Sequence, residues 1–126
     1  MAARLPRDSL GLVERSSPAA ANAVAESGIS VELIDLRSLS LWDREAGFAS
    51  VKNTARVIVG YEDSLSWGYG AEIAAAIADE CYAWLDAPVR RVASTDTFVG
   101  YAPRPEDAIL PQANDFKRAY EEIVKF

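Results

Sequence analysis

The chain has 126 residues, half of them hydrophobic and a quarter charged, which suits one globular core. Thirteen basic against nineteen acidic residues leave a net charge of −6, a surface that repels phosphate backbones. There is no histidine and a single cysteine, Cys81, which excludes an intrachain disulfide, Ser-His-Asp and Cys-His catalysis, and most zinc sites.

The opening residues hold no apolar run of signal-peptide type. The most apolar stretch, residues 73–85, contains Asp79 and Glu80 and is too short to span a bilayer. The expectation is a soluble, cytoplasmic protein with no membrane or nucleic-acid partner.

Residues 8–26 have helix-like composition, broken at Ser16-Ser17-Pro18, where proline predicts a kink or restart. Gly28 is placed to end that helix. Residues 29–36 read as a strand, with Val31 and Leu33 on one face and Ile34 and Leu36 on the other. Apolar residues on both faces imply a sheet covered on both sides. Residues 43–54 read as a short helix capped by Asp43, with Phe48 and Val51 turned inward.

Residues 56–61, Arg-Val-Ile-Val-Gly-Tyr, read as a central strand. A loop over 62–69 leads to a helix over 70–85, whose buried stripe is Ile73, Ile77 and Cys81. Asp86-Ala87-Pro88 stops it. Residues 89–93 form a short strand, and Arg90-Arg91 places it toward the sheet edge. Residues 94–111 are irregular. A last helix over 112–125 buries Phe116, Ala119, Tyr120 and Ile123.

Strands separated by helices predict an α/β fold, a three-layer α/β/α domain around a mostly parallel, mixed sheet. Three strands are few for such a domain. One or two further strands are expected to be weak, cryptic or missing; the first would precede Asp8, where the residues read poorly as a strand, so the domain is expected to be a fragment that lacks it.

The segment from Glu62 to Glu72 joins the end of the central strand to a helix start, the edge where open α/β sheets bind ligands. Gly68-x-Gly70 lacks the third glycine of a dinucleotide fingerprint and the lysine of a phosphate loop. Glu62, Asp63 and Glu72 oppose a phosphate there. A tight turn, with Glu72 favoured in the first helical turn, is the better reading. Glu62 and Asp63 do not make an acid/base pair, because sequence neighbours at a strand end point apart. One is expected to bridge to a neighbour and the other to be solvated. Asp35 and Arg37 suit a structural salt bridge, and Cys81 suits inert packing. Trp84 fits a helix end against the core. Trp42 and Trp67 sit in loops, where a tryptophan either packs underneath or anchors an interface. Phe126 beside the terminal carboxylate is a frayed end or a docking edge for a basic partner.

Five segments in order resemble one family. They are residues 28–43 (GISVELIDLRSLSLWD), 50–63 (SVKNTARVIVGYED), 68–75 (GYGAEIAA), and the pair 85–92 (LDAPVRRV) with 96–103 (DTFVGYAP). Leu110-Pro111 then opens the last helix. Together they resemble the transketolase-like C-terminal domain of the beta subunit of thiamine-diphosphate-dependent 2-oxo-acid dehydrogenases. The family often carries proline where Leu41 stands, histidine at Tyr61 and glycine at Trp67, and its Pro-x-Pro around residues 98–100 is replaced.

The resemblance implies that thiamine diphosphate and magnesium lie in other parts of the parent enzyme. No catalytic, cofactor-binding or metal-ligating residue is then expected in this chain. Residues 1–126 would form one domain of a longer protein, inactive alone. Its role would be subunit association, including homo-oligomers, and docking of the acyltransferase core's small basic domain. The parent would oxidatively decarboxylate pyruvate or a branched-chain 2-oxo acid. The alternatives are the C-terminal domain of a transketolase or related synthase, and a free-standing anion or small-ligand domain using the Gly68–Gly70 turn. Candidate interface residues are Trp42, Glu62, Asp63, Trp67, Gly68, Gly70, Tyr101 and Phe126.

Overall fold

The computed structural model describes residues 9–11, 22, 24–98 and 107–126. In chain order these form β1 (Ser9–Gly11), β2 (Leu33–Ile34), α1 (Arg44–Thr54), β3 (Ile58–Ser64), α2 (Tyr69–Glu80), a 3-10 turn (Tyr82–Trp84), β4 (Arg90–Ser94) and α3 (Ala113–Ile123). The sheet runs β2-β1-β3-β4, and every pairing among these strands is parallel.

Residues 9–11 do not begin a helix. They form β1, between β2 and β3, with Ser9 and Leu10 opposite Leu33 and Ile34 on one side and Ile58 and Val59 on the other. Three residues are too short to show an alternating pattern, so pairing on both sides sets their state. The strand expected over 29–36 keeps only Leu33 and Ile34 in the ladder, because β1 offers them two partners. The flanking residues still alternate: Ile34 and Leu36 pack in one core, Val31 in the other. The broken region at Ser16-Ser17-Pro18 lies outside the described residues.

Gly28 ends the preceding helical turn as expected, at φ 81°. The Ile29 amide donates to the Val24 carbonyl at 3.2 Å and the Gly28 amide to the Ala25 carbonyl at 3.0 Å. That pair of bonds is a Schellman motif, and its flanking Val24 and Ile29 share a core. Asp43 caps α1 as the sequence predicts, its carboxylate accepting from the Ala46 amide at 3.0 Å. The helix expected over 70–85 stops at Glu80 and tightens into the 3-10 turn.

The central strand β3 divides the core. Val57, Val59 and Tyr61 face one cluster, with Leu36, Trp42, Val51, Ile73, Ile77 and Cys81 from the loop after β2, α1 and α2. Ile58 faces the other, with Val92, Phe116, Tyr120 and Ile123 from β4 and α3. Helices on opposite faces of one sheet make the three layers. Burying each large aliphatic side chain contributes about 1.5–3 kcal/mol, so β3, apolar on both faces, is the best-anchored strand. Trp84 departs from expectation. It is about half exposed, and the Lys52 ammonium lies 4.4 Å from its ring centroid.

Candidate functional site

Four parallel strands end on the same edge, so the segments after β2, β3 and β4 gather there. β3 stays in the sheet past Tyr61, through residues read as loop, and reaches Ser64. Its pairing with β4 slips between Gly60 and Ser64: Gly60 faces Val92, while Ser64 faces Ser94. The bulge turns Glu62 and Asp63 out to solvent. The Ser94 hydroxyl donates to the Glu62 carbonyl and holds the bulge to β4. The Asp63 carboxylate accepts from the Ser64 amide at 2.8 Å, the bridging role expected of one member of this pair.

The turn after β3 is held from three sides. Arg91 donates to the Leu65 carbonyl at 2.5 Å and to the Tyr61 hydroxyl at 3.1 Å. The Ser66 amide and hydroxyl both donate to Asp96, at 2.8 and 2.6 Å. Those hydrogen bonds, chiefly from the Ser66 hydroxyl, hold the Asp96 carboxyl below the usual carboxylate range. The Tyr69 hydroxyl donates to the Leu39 carbonyl, tying this turn to the loop after β2.

The two glycines are accounted for by packing. A side chain on Gly68 would lie 2.7 Å from Tyr61 Cε2 and closer still to the Ser64 carbonyl. One on Gly70 would overlap the Tyr61 ring. Gly68 and Gly70, candidate interface residues by sequence, are therefore interior: the Tyr61 ring fills the space beside both. Glu72 stands in the first turn of α2, as expected. With the glycine seat filled and Glu62 and Asp63 beside it, these residues do not fit the diphosphate of a thiamine cofactor. Among the described residues no group of three His, Cys, Asp or Glu side chains is placed to hold a metal ion.

Trp42 is likewise corrected to an interior residue. It is 6% exposed, meets Phe48 edge-on at 5.7 Å between centroids, and lies against Gly47, where a Cβ would stand 2.7 Å from its ring. Tyr101 lies outside the described residues. Phe126 is exposed, but it sits near Arg90, the first residue of β4 and so at the opposite end of that strand. Glu62, Asp63 and Trp67 remain together at the carboxyl edge. Trp67 is fully exposed, and its φ of 66° is left-handed, a reason for glycine at this position. Cys81 is buried, and desolvation pushes its thiol up, which fits inert packing. Asp35 and Arg37 lie 3.6 Å apart on the surface, a weak pair.

The fastening residues Ser66, Arg91 and Asp96, and the exposed Leu41, are absent from the sequence-derived candidates. Arg91 reads only as an edge charge, and its bond to a carbonyl 26 residues away has no local signature.

Residues 9–115 match the family described as Transketolase, C-terminal domain. The chain belongs to that family. It is 43% identical over 100 residues to pyruvate dehydrogenase E1 component subunit beta-1, mitochondrial, of Arabidopsis thaliana, covering 79% of this chain and 28% of the relative. It is 49% identical over 70 residues to 2-oxoisovalerate dehydrogenase subunit beta 2, mitochondrial, of the same plant, covering 56% and 20%. The 2-oxoisovalerate dehydrogenase subunit beta of Pseudomonas aeruginosa is 41% identical over 75 residues, covering 60% and 21%. The chain thus spans less than a third of the length of these transketolase-domain relatives. A solved structure titled "Split gene transketolase, inactive beta4 tetramer" superposes with a TM-score of 0.77 at 25% identity, over 94% of this chain and 38% of that one.

Proposed function

We propose that this transketolase C-terminal domain is the association domain of the beta component of a thiamine-dependent 2-oxo-acid dehydrogenase. The observation that carries the reading is the 41–49% identity to beta subunits named for pyruvate and 2-oxoisovalerate dehydrogenases. The parent enzyme would bind thiamine diphosphate and magnesium outside this domain, and the cofactor would supply the decarboxylation chemistry. The domain's own part is to hold subunits together, and the neighbour titled a beta4 tetramer supports self-association as one form of it. Docking of the acyltransferase core belongs to the same reading. The chain's only cysteine, buried and reduced, suits a reducing compartment. The higher identity to dehydrogenases than to the split-gene transketolase favours this parent over a transketolase.

Titration calorimetry of the chain with thiamine diphosphate and magnesium tests the division of labour. No specific heat is expected. Tight stoichiometric binding would overturn the proposal.

A further inference from the structure

β4 ends the sheet on one side, and its hydrogen bonds fix which main-chain groups it turns outward. The Arg90 amide donates to the Val57 carbonyl at 3.2 Å, and the Ser94 carbonyl accepts from the Leu65 amide at 3.0 Å. The even-numbered residues of β4 therefore direct their main-chain groups at β3. Alternation along the strand sends those of Arg91 and Ala93 the other way. The next residue in that outward series, Thr95, donates to the Ile109 carbonyl at 3.2 Å, where the segment before α3 meets the edge. Among the described residues nothing pairs with the outward groups of Arg91 and Ala93. They border a cleft of about 390 Å³ between β4 and α3, with Val92, Ile109, Leu110, Pro111 and Ala119 as its apolar walls. Ligand pockets span about 300–1,000 Å³, so this one suits a single small molecule.

Strands usually run about 3–10 residues, so the short edge between Arg90 and the Thr95–Ile109 bond offers little to a pairing peptide. It does suit a planar ring. The Arg91 carbonyl and the Ala93 amide stand side by side, an acceptor next to a donor. An amino group beside a ring nitrogen, as on the pairing edge of adenine, presents the complementary donor and acceptor. The charges of the cleft exclude a phosphate. Arg91 is directed at Tyr61 and the Leu65 carbonyl, Arg118 is held by Asp115 at 2.9 Å, and Arg90 lies over the Phe126 ring. Asp107 and Glu122 also line the cleft, and among the described residues neither has an ion-pair partner. Carboxylates repel phosphate but accept hydrogen bonds from sugar hydroxyls. We infer that the β4–α3 cleft binds a neutral purine nucleoside of the adenosine type. Its ring edge pairs with the Arg91 carbonyl and the Ala93 amide, and its sugar hydroxyls lie toward Asp107 and Glu122. The inference rests on the cleft alone and does not require the dehydrogenase parent.

The test irradiates the full-length protein with 8-azidoadenosine and maps the label by mass spectrometry. The label is expected on β4 or on residues 107–122, and excess adenosine should suppress it. The 6-dimethylamino analogue of adenosine lacks the amino hydrogens, and it should compete about tenfold less well or worse. Adenosine monophosphate should also compete less well than adenosine. Ala93→Pro removes the outward amide and spares the bonds to β3, since proline is tolerated where the N–H faces away from the sheet. Labelling should fall about tenfold or more in that variant. Asp107→Asn with Glu122→Gln leaves the sheet untouched and should narrow the gap between adenosine and its monophosphate. No label in the cleft, the outcome if a peptide strand covers β4, would overturn the inference. So would equal competition by the dimethylamino analogue, a monophosphate that competes better than adenosine, full labelling of a folded Ala93→Pro protein, or an unchanged gap in the double variant.

Discussion

Gly70 packs directly on the Tyr61 ring, in space that any Cβ at position 70 would have to share with it. Tyr61 is buried at the end of the central strand, and its hydroxyl is engaged by Arg91 and the Leu65 carbonyl, so the ring cannot swing aside cheaply. The glycine spacing that resembles part of a nucleotide fingerprint is here a seat for an aromatic ring.

Gly70→Ala follows directly. Overpacking costs about 1–3 kcal/mol, more than the gain of up to about 1 kcal/mol from replacing glycine in a helix. Urea denaturation should show a net loss of stability. A change within about 0.5 kcal/mol would mean that the ring yields.

Trp67→Gly should behave in the opposite way. Removing left-handed strain at a fully exposed residue contributes about 1–2 kcal/mol, and the added freedom of the unfolded chain takes back about 0.4–1 kcal/mol. A thermal melt should therefore show an equal or slightly higher midpoint. A clear fall would assign Trp67 a folding role that its exposure denies.

Asp96 predicts a pH dependence. Its native carboxyl is depressed by the Ser66 bonds, so its contribution is fully present above the ordinary carboxylate pKa. That contribution is lost as pH falls through the lower native value. Carboxyl-carbon NMR should place the Asp96 titration below that of an unstructured aspartate, and Ser66→Ala should move it upward. No movement would place the cause elsewhere.

Cys81 should resist thiol reagents in the native protein. It is buried at the C-terminal cap of α2, and desolvation disfavours its thiolate. With a disulfide dye, reaction should await denaturant. Rapid native labelling would show that this core opens.

The elements that the sequence determined unaided are those with a strong local signal. The stripe Ile73, Ile77 and Cys81, the Asp43 cap, the Gly28 stop, and the central position of β3 all follow from spacing or composition within a few residues. The family was also legible, because its short motifs stand in order along the residues that match it. What the tertiary structure decided depends on partners distant in the chain. Ser9–Gly11 is a strand because two other strands flank it, and its own three residues say nothing of that. Trp42 and Trp67 look alike as loop tryptophans, yet one has Phe48 and Gly47 beneath it and the other is fully exposed. The bulge in β3, the Arg91 and Asp96 fastenings, and the left-handed turn at Trp67 arise from contacts across the sheet edge. Local pattern carries no record of such contacts, since their energy depends on which distant atoms the fold brings within hydrogen-bonding reach.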